Sequence, residues 1–527
     1  MNLYKSIDTK ILYLFLLVYL LLAYSSLIFR SDILTYDDSL LLSQFSKFHS
    51  LYDYFEFHID LQPIRDLSFL FDLFLSKEIH FQTYHLTNFL IFISILYLLK
   101  KISDYLFSDP FIVFFLIAIF AISPVTTSSV AWISARKHLL SLLFILVATH
   151  SYLKMKAPSF KSEIQIIFFY SLACLSQPIN VLWPIWMLFD SKTNKKINLS
   201  KNIVISLIIV MILCLSSNFY YYNNIYTHQF HYDKLTNLGI LESLSRGCLS
   251  LGRYFYQTIF QFSALPTPHN FKSIQNPIGL GLLVIYLIFI FFSKKKSPHI
   301  NSINSCLCYF ILGLTIVLFN TNIFNSDTYL LNAQLGIYVS FLIFVRHFFK
   351  NSFVQFFAIF YLLILAIYNF TYIPIFKSDI KLFTYSFEKE AEPTTAAYLA
   401  NLKLENKQFD QANALLEFVE REKPDYSRLT LLKGTSIFND QRISNEVKIS
   451  KLESLKDKKA SSFYFLSVLY TLKNNQSEAI KNLNLIFKNI DWIKIEYPEK
   501  EYELFEKIEK LCVLNKLDKC LQQKLRL

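Results

Sequence analysis

Residues 11–38, ILYLFLLVYLLLAYSSLIFRSDILTYDD, run from Ile11 to Phe29 without a charged side chain and then reach two adjacent carboxylates, Asp37 and Asp38. A helix rises about 1.5 Å per residue, so roughly 20 apolar residues cross the hydrocarbon of a bilayer. The run is too long for the apolar segment of a cleavable leader and ends without a small-residue cleavage site, so it is expected to remain as a helix. Lys5 and Lys10 keep its start in the cytoplasm.

The rest of the front half follows this pattern. The 527 residues are 53% hydrophobic and only 17% charged, which excludes a wholly soluble chain. Composition changes sharply past Tyr372, from Phe, Leu, Ile and Tyr to charged helical sequence. Two domains are therefore expected: a multi-pass membrane domain over 1–376 and a soluble helical domain over 377–527. The net charge of +12 comes largely from lysines between apolar runs: Lys100 and Lys101, Lys154 and Lys156, Lys192 to Lys196, and Lys294 to Lys296. That is the positive-inside pattern of cytoplasmic loops, not a nucleic-acid surface.

With those loops inside, about 11 spans are expected, at 11–29, 84–99, 111–122, 131–153, 164–175, 179–189, 203–220, 278–292, 305–319, 334–345 and 353–372. The count leaves 252–262 lying along or dipping into the outer face, and it puts the tail outside. The fold class is all-α: a polytopic helical bundle followed by a helical repeat domain.

The first outer loop, 31–83, is long and acidic, and Leu67, Leu70, Phe71 and Phe74 stand at helical spacing within it. Asp37 and Asp38 open this loop. Two close carboxylates repel, which raises one pKa toward that of a useful base. They are also suited to a divalent cation such as Mg or Mn. The plain structural alternative is a helix N-cap. Arg136 and Lys137 follow Trp132 at the outer start of a membrane helix, where a guanidinium matches phosphate or simply snorkels beside a belt tryptophan. Arg65 and Asp66 pair either as a loop-ordering bridge or as part of a site. His85 and Asn88 share a helix face, open to a sugar or to packing. Arg246 and Arg253, seven apart, bind either a carrier phosphate or lipid headgroups. His228, His231 and His269 lack metal spacing.

Ala400, Ala412, Leu416, Val419 and Pro424 in the tail occupy the small, apolar and terminal positions of a helical-hairpin repeat, and the same frame recurs with Leu466, Tyr470, Ala479, Leu483 and Ile486, the alanines Ala412 and Ala479 standing 67 residues apart (479 − 412). This is about twice a 34-residue helical-hairpin repeat, with a degenerate copy between. Such arrays bind peptides or partner proteins. Cys174, Cys214, Cys306 and Cys308 read as packing residues, while Cys512 and Cys520 are either a disulfide or two free thiols.

The order of features is a span, an acidic pair, Pro63-Ile-Arg-Asp-Leu-Ser68, His85-x-x-Asn88, then SPVTTSSVAWISARKHLL at 123–140 and a repeat tail. It resembles the transmembrane and tetratricopeptide-repeat O-mannosyltransferases and their bacterial relatives, in the GT-C class of membrane glycosyltransferases. The resemblance implies transfer of a sugar, such as mannose, from a polyprenyl-phosphate donor to a protein hydroxyl or a glycan on the periplasmic or lumenal side. It further implies a catalytic aspartate at Asp37 or Asp38 and favours donor phosphate near Arg136 and Lys137, with Arg246 and Arg253 as further candidates from their spacing. Arg65, His85, Asn88 and Trp132 then contact substrate. It also favours a bacterial inner membrane over the endoplasmic reticulum. The chain departs from its relatives at Gln62, Ser123, Ser128 and Phe92. The rival expectation is therefore an inactive homologue: a membrane-anchored scaffold whose tail recruits partners.

Overall fold

The computed structural model describes residues 9–29, 38, 62–76, 81–155, 157–194, 199–221, 240–265, 273–292, 298–319, 327–348, 351–426, 428–455, 460–488, 507–508, 510–512 and 514–515. Among these every regular element is a helix. Two compact units divide between Glu390 and Ala391.

The first unit contains α1 (Thr9–Ile28), α2 (Pro63–Ser76), α3 (Phe81–Leu106), α4 (Pro110–Ala121), α5 (Pro124–Ala131), α6 (Arg136–Lys154), α7 (Phe160–Ser176), α8 (Trp183–Asn194) and α9 (Lys201–Tyr221). It continues with α10 (Ile240–Ile259), α11 (Gln275–Phe292), α12 (Pro298–Phe319), α13 (Leu330–Phe348), α14 (Asn351–Tyr372) and α15 (Asp379–Lys389). The expected domain edge at 376/377 falls earlier than the observed one. Helix α15 buries Leu382 and Phe383 and sets the Tyr385 ring edge-on to Tyr372, so it belongs to the first unit.

The unit exposes apolar side chains outside and buries polar groups among its apolar core. Leu14, Phe15 and Leu22 of α1 and Leu363 and Ile367 of α14 are exposed, as suits lipid rather than water. Inside, Tyr24 donates to Thr127 Oγ1 at 3.2 Å and Thr127 donates to Asn369 Oδ1 at 2.7 Å. Gln334 donates to Thr126 Oγ1 and accepts from Ser123, crossing from α13 to α5. Buried polar groups joined in this way avoid the penalty of unmet hydrogen bonds in a dry interior.

Among the described residues three helices are long and apolar enough to cross a membrane: Thr9–Ile28, Gln82–Leu106 and Phe356–Lys377. A fourth is reached if α4 and α5, bent by 52°, count as one. The expectation of about 11 spans is not met among the described residues. Shorter apolar helices occupy Lys201–Ser217, Gln275–Ile288, Ser302–Leu314 and Leu330–Val345. The bend itself follows from Ser123-Pro124: a residue before proline is pushed to extended backbone, and Ser123 has φ −62° and ψ 130°. Pro124 then opens α5, where its missing N–H costs nothing. Asp109 caps α4 by accepting from the Phe111 amide at 2.9 Å.

Helix α10, which contains most of 252–262, packs against its neighbours. Gly252 and Gly279 let α10 and α11 touch backbone to backbone, since a Cβ on Gly279 would run into the Gly252 carbonyl. Tyr254 and Phe255 are buried against α11 and α12 in one apolar cluster with Leu283 and Phe310.

The second unit holds α16 (Pro393–Glu405), α17 (Phe409–Glu422), α18 (Leu429–Asn439), α19 (Asn445–Glu453), α20 (Ala460–Leu472) and α21 (Gln476–Lys488). Hairpins α16–α17 and α20–α21 share one frame. Each turns through a left-handed residue, Lys407 at φ 59° and Asn474 at φ 58°, which are 67 positions apart (474 − 407). Each turn closes identically: Gln408 N to Lys403 O at 2.8 Å, and Asn475 N to Tyr470 O at 2.9 Å. Ala412, Leu416 and Val419 and their counterparts Ala479, Leu483 and Ile486 are all buried. Between them, α18 brings Gly434 against the Phe465 ring. Cys512 is disulfide-bonded, and Cys520 lies outside the described residues.

Candidate functional site

The turn from α5 to α6, Trp132 to Ala135, is where the sequence candidates converge. Arg136 starts α6 with no exposed surface. Its Nη2 lies 2.6 Å from Asp72 Oδ2 and donates to the Tyr84 carbonyl at 2.9 Å. Its Nε donates to Asn88 Oδ1 at 2.6 Å, and Nη1 reaches the Ser68 carbonyl at 3.2 Å. The guanidinium lies over the Phe69 ring, 4.3 Å from its centre. One side chain thus ties α2, α3 and α6 together. The expectation that Arg136 faces a donor phosphate needs correction: its donors are spent inside the protein, because two carbonyls, an amide and a carboxylate surround it.

Asn88 completes the joint. Its Nδ2 reaches the carbonyls of Val130 and Trp132 at 3.4 and 3.3 Å, holding the end of α5. This is the packing alternative for Asn88, and it orients the turn. Trp132 is buried, not splayed in an interfacial belt. Asp38 enters the same place from far away in sequence: its Oδ1 accepts from the Ser134 amide at 2.8 Å, and its charge acts on Arg136. It is almost fully buried. Asp37 lies outside the described residues. His85 is buried beside Arg136, and among the described residues neither ring nitrogen has a hydrogen-bond partner. Lys137 is half-buried.

Helix α2 is amphipathic as expected, with an inverted polarity. Leu67, Phe71 and Phe74 are exposed, whereas Arg65, Asp66, Phe69 and Asp72 are buried. Arg65 bridges Asp66 at 2.8 Å and donates to Gln62 Oε1 at 3.0 Å, and Gln62 donates to Gln177 Oε1 at 2.8 Å. Arg65 therefore docks α2 through a closed polar chain, its structural alternative, and is not brought to the Asp38 turn by any of these contacts.

Arg253 is likewise enclosed: it pairs with Glu390 at 2.9 Å and donates to Ser273 Oγ at 3.1 Å. Its expected phosphate or headgroup role is corrected by the packing of α10, which turns it inward. Arg246, half-buried, is set one turn-pair earlier on the same helix.

Sequence reasoning missed Asp72 as the partner of Arg136. The signal was present in Phe69 and Asp72, three apart on the face opposite Leu67 and Phe71, but an acidic residue among many in one loop carries no mark of its partner. No group of three or more His, Cys, Asp or Glu suited to a metal ion occurs among the described residues. A divalent ion here would rest on the Asp37–Asp38 pair.

No family model matches the chain, and neither do any curated protein or solved structure.

Proposed function

We propose that the chain is a membrane glycosyltransferase of the GT-C kind, moving a sugar from a polyprenyl-phosphate donor to a hydroxyl of a protein or glycan. The carrying observation is the seat of Asp38: a buried carboxylate fixed on the Ser134 amide, at the turn that Arg136 and Asn88 hold rigid. A base needs such fixed placement, within hydrogen-bond reach of the proton it takes. In an inverting displacement Asp38, or Asp37 beside it, accepts the acceptor hydroxyl proton as that oxygen attacks the anomeric carbon. The bond from that carbon to the phosphate oxygen breaks, and the lipid phosphate leaves with the electron pair. Lys137 and Arg246, both half-buried, are the proposed cations that meet its charge. Arg136, Asn88 and Arg65 position; His85 and Trp132 line the turn.

The exposed apolar faces of α1 and α14 support a membrane protein, and the lysine-rich loops support a cytoplasmic side opposite this turn. The disulfide at Cys512 fits an oxidising compartment for the tail, as in a bacterial periplasm or, alternatively, an endoplasmic reticulum lumen. The two hairpins in one frame support a tetratricopeptide-type array that recruits the acceptor or a partner protein. The test is Asp38→Asn and Asp37→Asn in the full chain with glycan analysis. Unchanged transfer at normal protein level removes this mechanism.

The enclosure of Arg136 and Arg253 favours a second reading, a membrane-anchored scaffold without transfer activity. It expects the Asp37→Asn, Asp38→Asn double variant to behave as wild type, while loss of the tail abolishes function.

A further inference from the structure

Every exposed residue of helix α2 is Leu or Phe. Leu67, Phe71, Phe74 and Leu75 are between 60% and 80% exposed, and their spacing of i, i+4, i+7 and i+8 puts them on one helix face. The three charged residues of α2, Arg65, Asp66 and Asp72, are all buried on the protein side. Helix α15 of the same unit has the opposite arrangement, burying Leu382 and Phe383 and exposing Lys381, Glu388 and Lys389. Water selects the arrangement of α15. Hydrocarbon selects that of α2, because ionised side chains at membrane depth turn toward the bundle and pair. Here Arg65 bridges Asp66 at 2.8 Å and Asp72 bridges Arg136 at 2.6 Å.

Contacts with α3 fix the level of α2. The part of α3 that is long and apolar enough to cross a membrane begins at Gln82. Phe69 meets the Tyr84 ring edge-on at 5.8 Å, and Asp72 Oδ1 accepts from Thr87 Oγ1 at 2.8 Å. Tyr84 and Thr87 stand two and five residues past Gln82 (84 − 82, 87 − 82), about 3 and 7.5 Å along the axis. On α3 itself Leu86 and Leu90 are exposed near the same level. The two exposed apolar faces thus share one depth, inside the end of a candidate span. With 14 residues, about 21 Å, α2 is too short to cross a bilayer itself.

We propose that α2 is immersed in the lipid leaflet at the Gln82 end of α3, with Leu67, Phe71, Phe74 and Leu75 against acyl chains. Lys100 and Lys101 mark the other end of α3, so this leaflet is the one opposite the lysine-rich side. Through Asp72 and Ser68 the same helix holds Arg136, so the bilayer braces the turn on which Asp38 is seated. The inference does not depend on the sugar-transfer reading, and its test measures no transfer.

The full-length protein is placed in nanodiscs of phosphatidylcholine carrying a photoactivatable diazirine midway along one acyl chain, and adducts are mapped by peptide mass spectrometry. Adducts are expected on 63–76 as well as on α1, whose exposed Leu14 and Phe15 make it the lipid-facing reference. This mapping needs no substitution. In a second measurement Phe74→Cys and Lys381→Cys are treated with a charged maleimide in nanodiscs, and labelling is read at each site. Phe74 is the most exposed of the four, so its replacement removes little packing. A thiol in hydrocarbon is hardly ionised and out of reach of an aqueous reagent, so Phe74→Cys is expected to react at least about tenfold more slowly than Lys381→Cys. Absence of acyl adducts on 63–76 while α1 is labelled, or equal maleimide rates at the two cysteines, overturns the proposal. Protection of Phe74→Cys without acyl adducts means that protein covers this face, and overturns it as well.

Discussion

Arg136 Nη2 and Asp72 Oδ2 stand 2.6 Å apart with both side chains shut off from solvent, joining the first helix of the acidic loop to the helix after the α4–α5 bend. Breaking a buried pair by removing one partner leaves an uncompensated charge, at a cost of roughly 3–5 kcal/mol. Asp72→Asn is therefore expected to lower the unfolding midpoint in detergent sharply. Arg136→Met with Asp72→Leu is expected to recover much of the loss, because a matched apolar pair removes both charges at once. Additive losses in the double variant would show that the two residues are not coupled.

Asp38 separates two roles. In Asp38→Asn the amide oxygen still accepts from the Ser134 N–H, so the turn keeps its shape, yet no carboxylate remains to take a proton. The expected result is unchanged thermal stability with transfer reduced at least a hundredfold, in line with loss of a general base. Asp38→Ala is expected to lose stability too, by about 1–3 kcal/mol for an unmet buried amide. A folded, fully active Asp38→Asn protein contradicts the base assignment.

Gly252, Gly279 and Gly281 form a graded set. Ala has the better helix propensity by about 1 kcal/mol, so an open site gains from the change. Gly281 is such a site, with nothing near its would-be Cβ, and Gly281→Ala is expected to be neutral or mildly stabilising. At Gly252 and Gly279 the new methyl meets backbone of the partner helix, which cannot rotate away. Either substitution is expected to cut the yield of folded protein and lower the melting midpoint. A stable Gly279→Ala would mean that α10 and α11 do not meet as described.

In the second unit, hydrogen bonding from Arg442 holds the Asp440 carboxyl down to about 2, and Lys473 does the same to Glu446. Both lie below the usual carboxylate values of about 4. Depressed folded-state values mean stability that is present above pH 4 and lost as pH falls toward 2. Protection of α18 and α19 against hydrogen exchange, corrected for intrinsic rate, is expected to fall over that window. Arg442→Ala is expected to flatten the fall, and high salt to weaken it, since Arg442 is exposed. A steep loss near neutral pH would point to another group.

How far the chain can be read without coordinates varies with the physics. An uncharged run such as 11–29 declares a lipid-length helix because every residue contributes the same signal. The tail frame is legible for the same reason: Ala412 and Ala479 are small where helices cross. The turn residues are not, since Lys407 and Asn474 adopt left-handed backbone without being glycine. The number of spans is less legible, because polar side chains such as Gln334 and Asn369 pair inside the bundle and give no signal of it in the sequence. Asp38 and Arg136 were legible as chemistry, but the enclosure of Arg136 by Asp72, Asn88 and the Tyr84 carbonyl is brought in by tertiary packing. Likewise Arg253 looked like a surface cation until Gly252 turned its helix into the core.

The joint at Arg136 also orders assembly in time. Asp72 leaves the ribosome 64 residues before its guanidinium (136 − 72), a delay of about 3–13 s at ordinary elongation rates. Through that interval the acidic helix lacks its Arg136 counter-ion and must await the later helix. Biogenesis of this domain thus closes backwards, with a segment made early sealed in place by one made late.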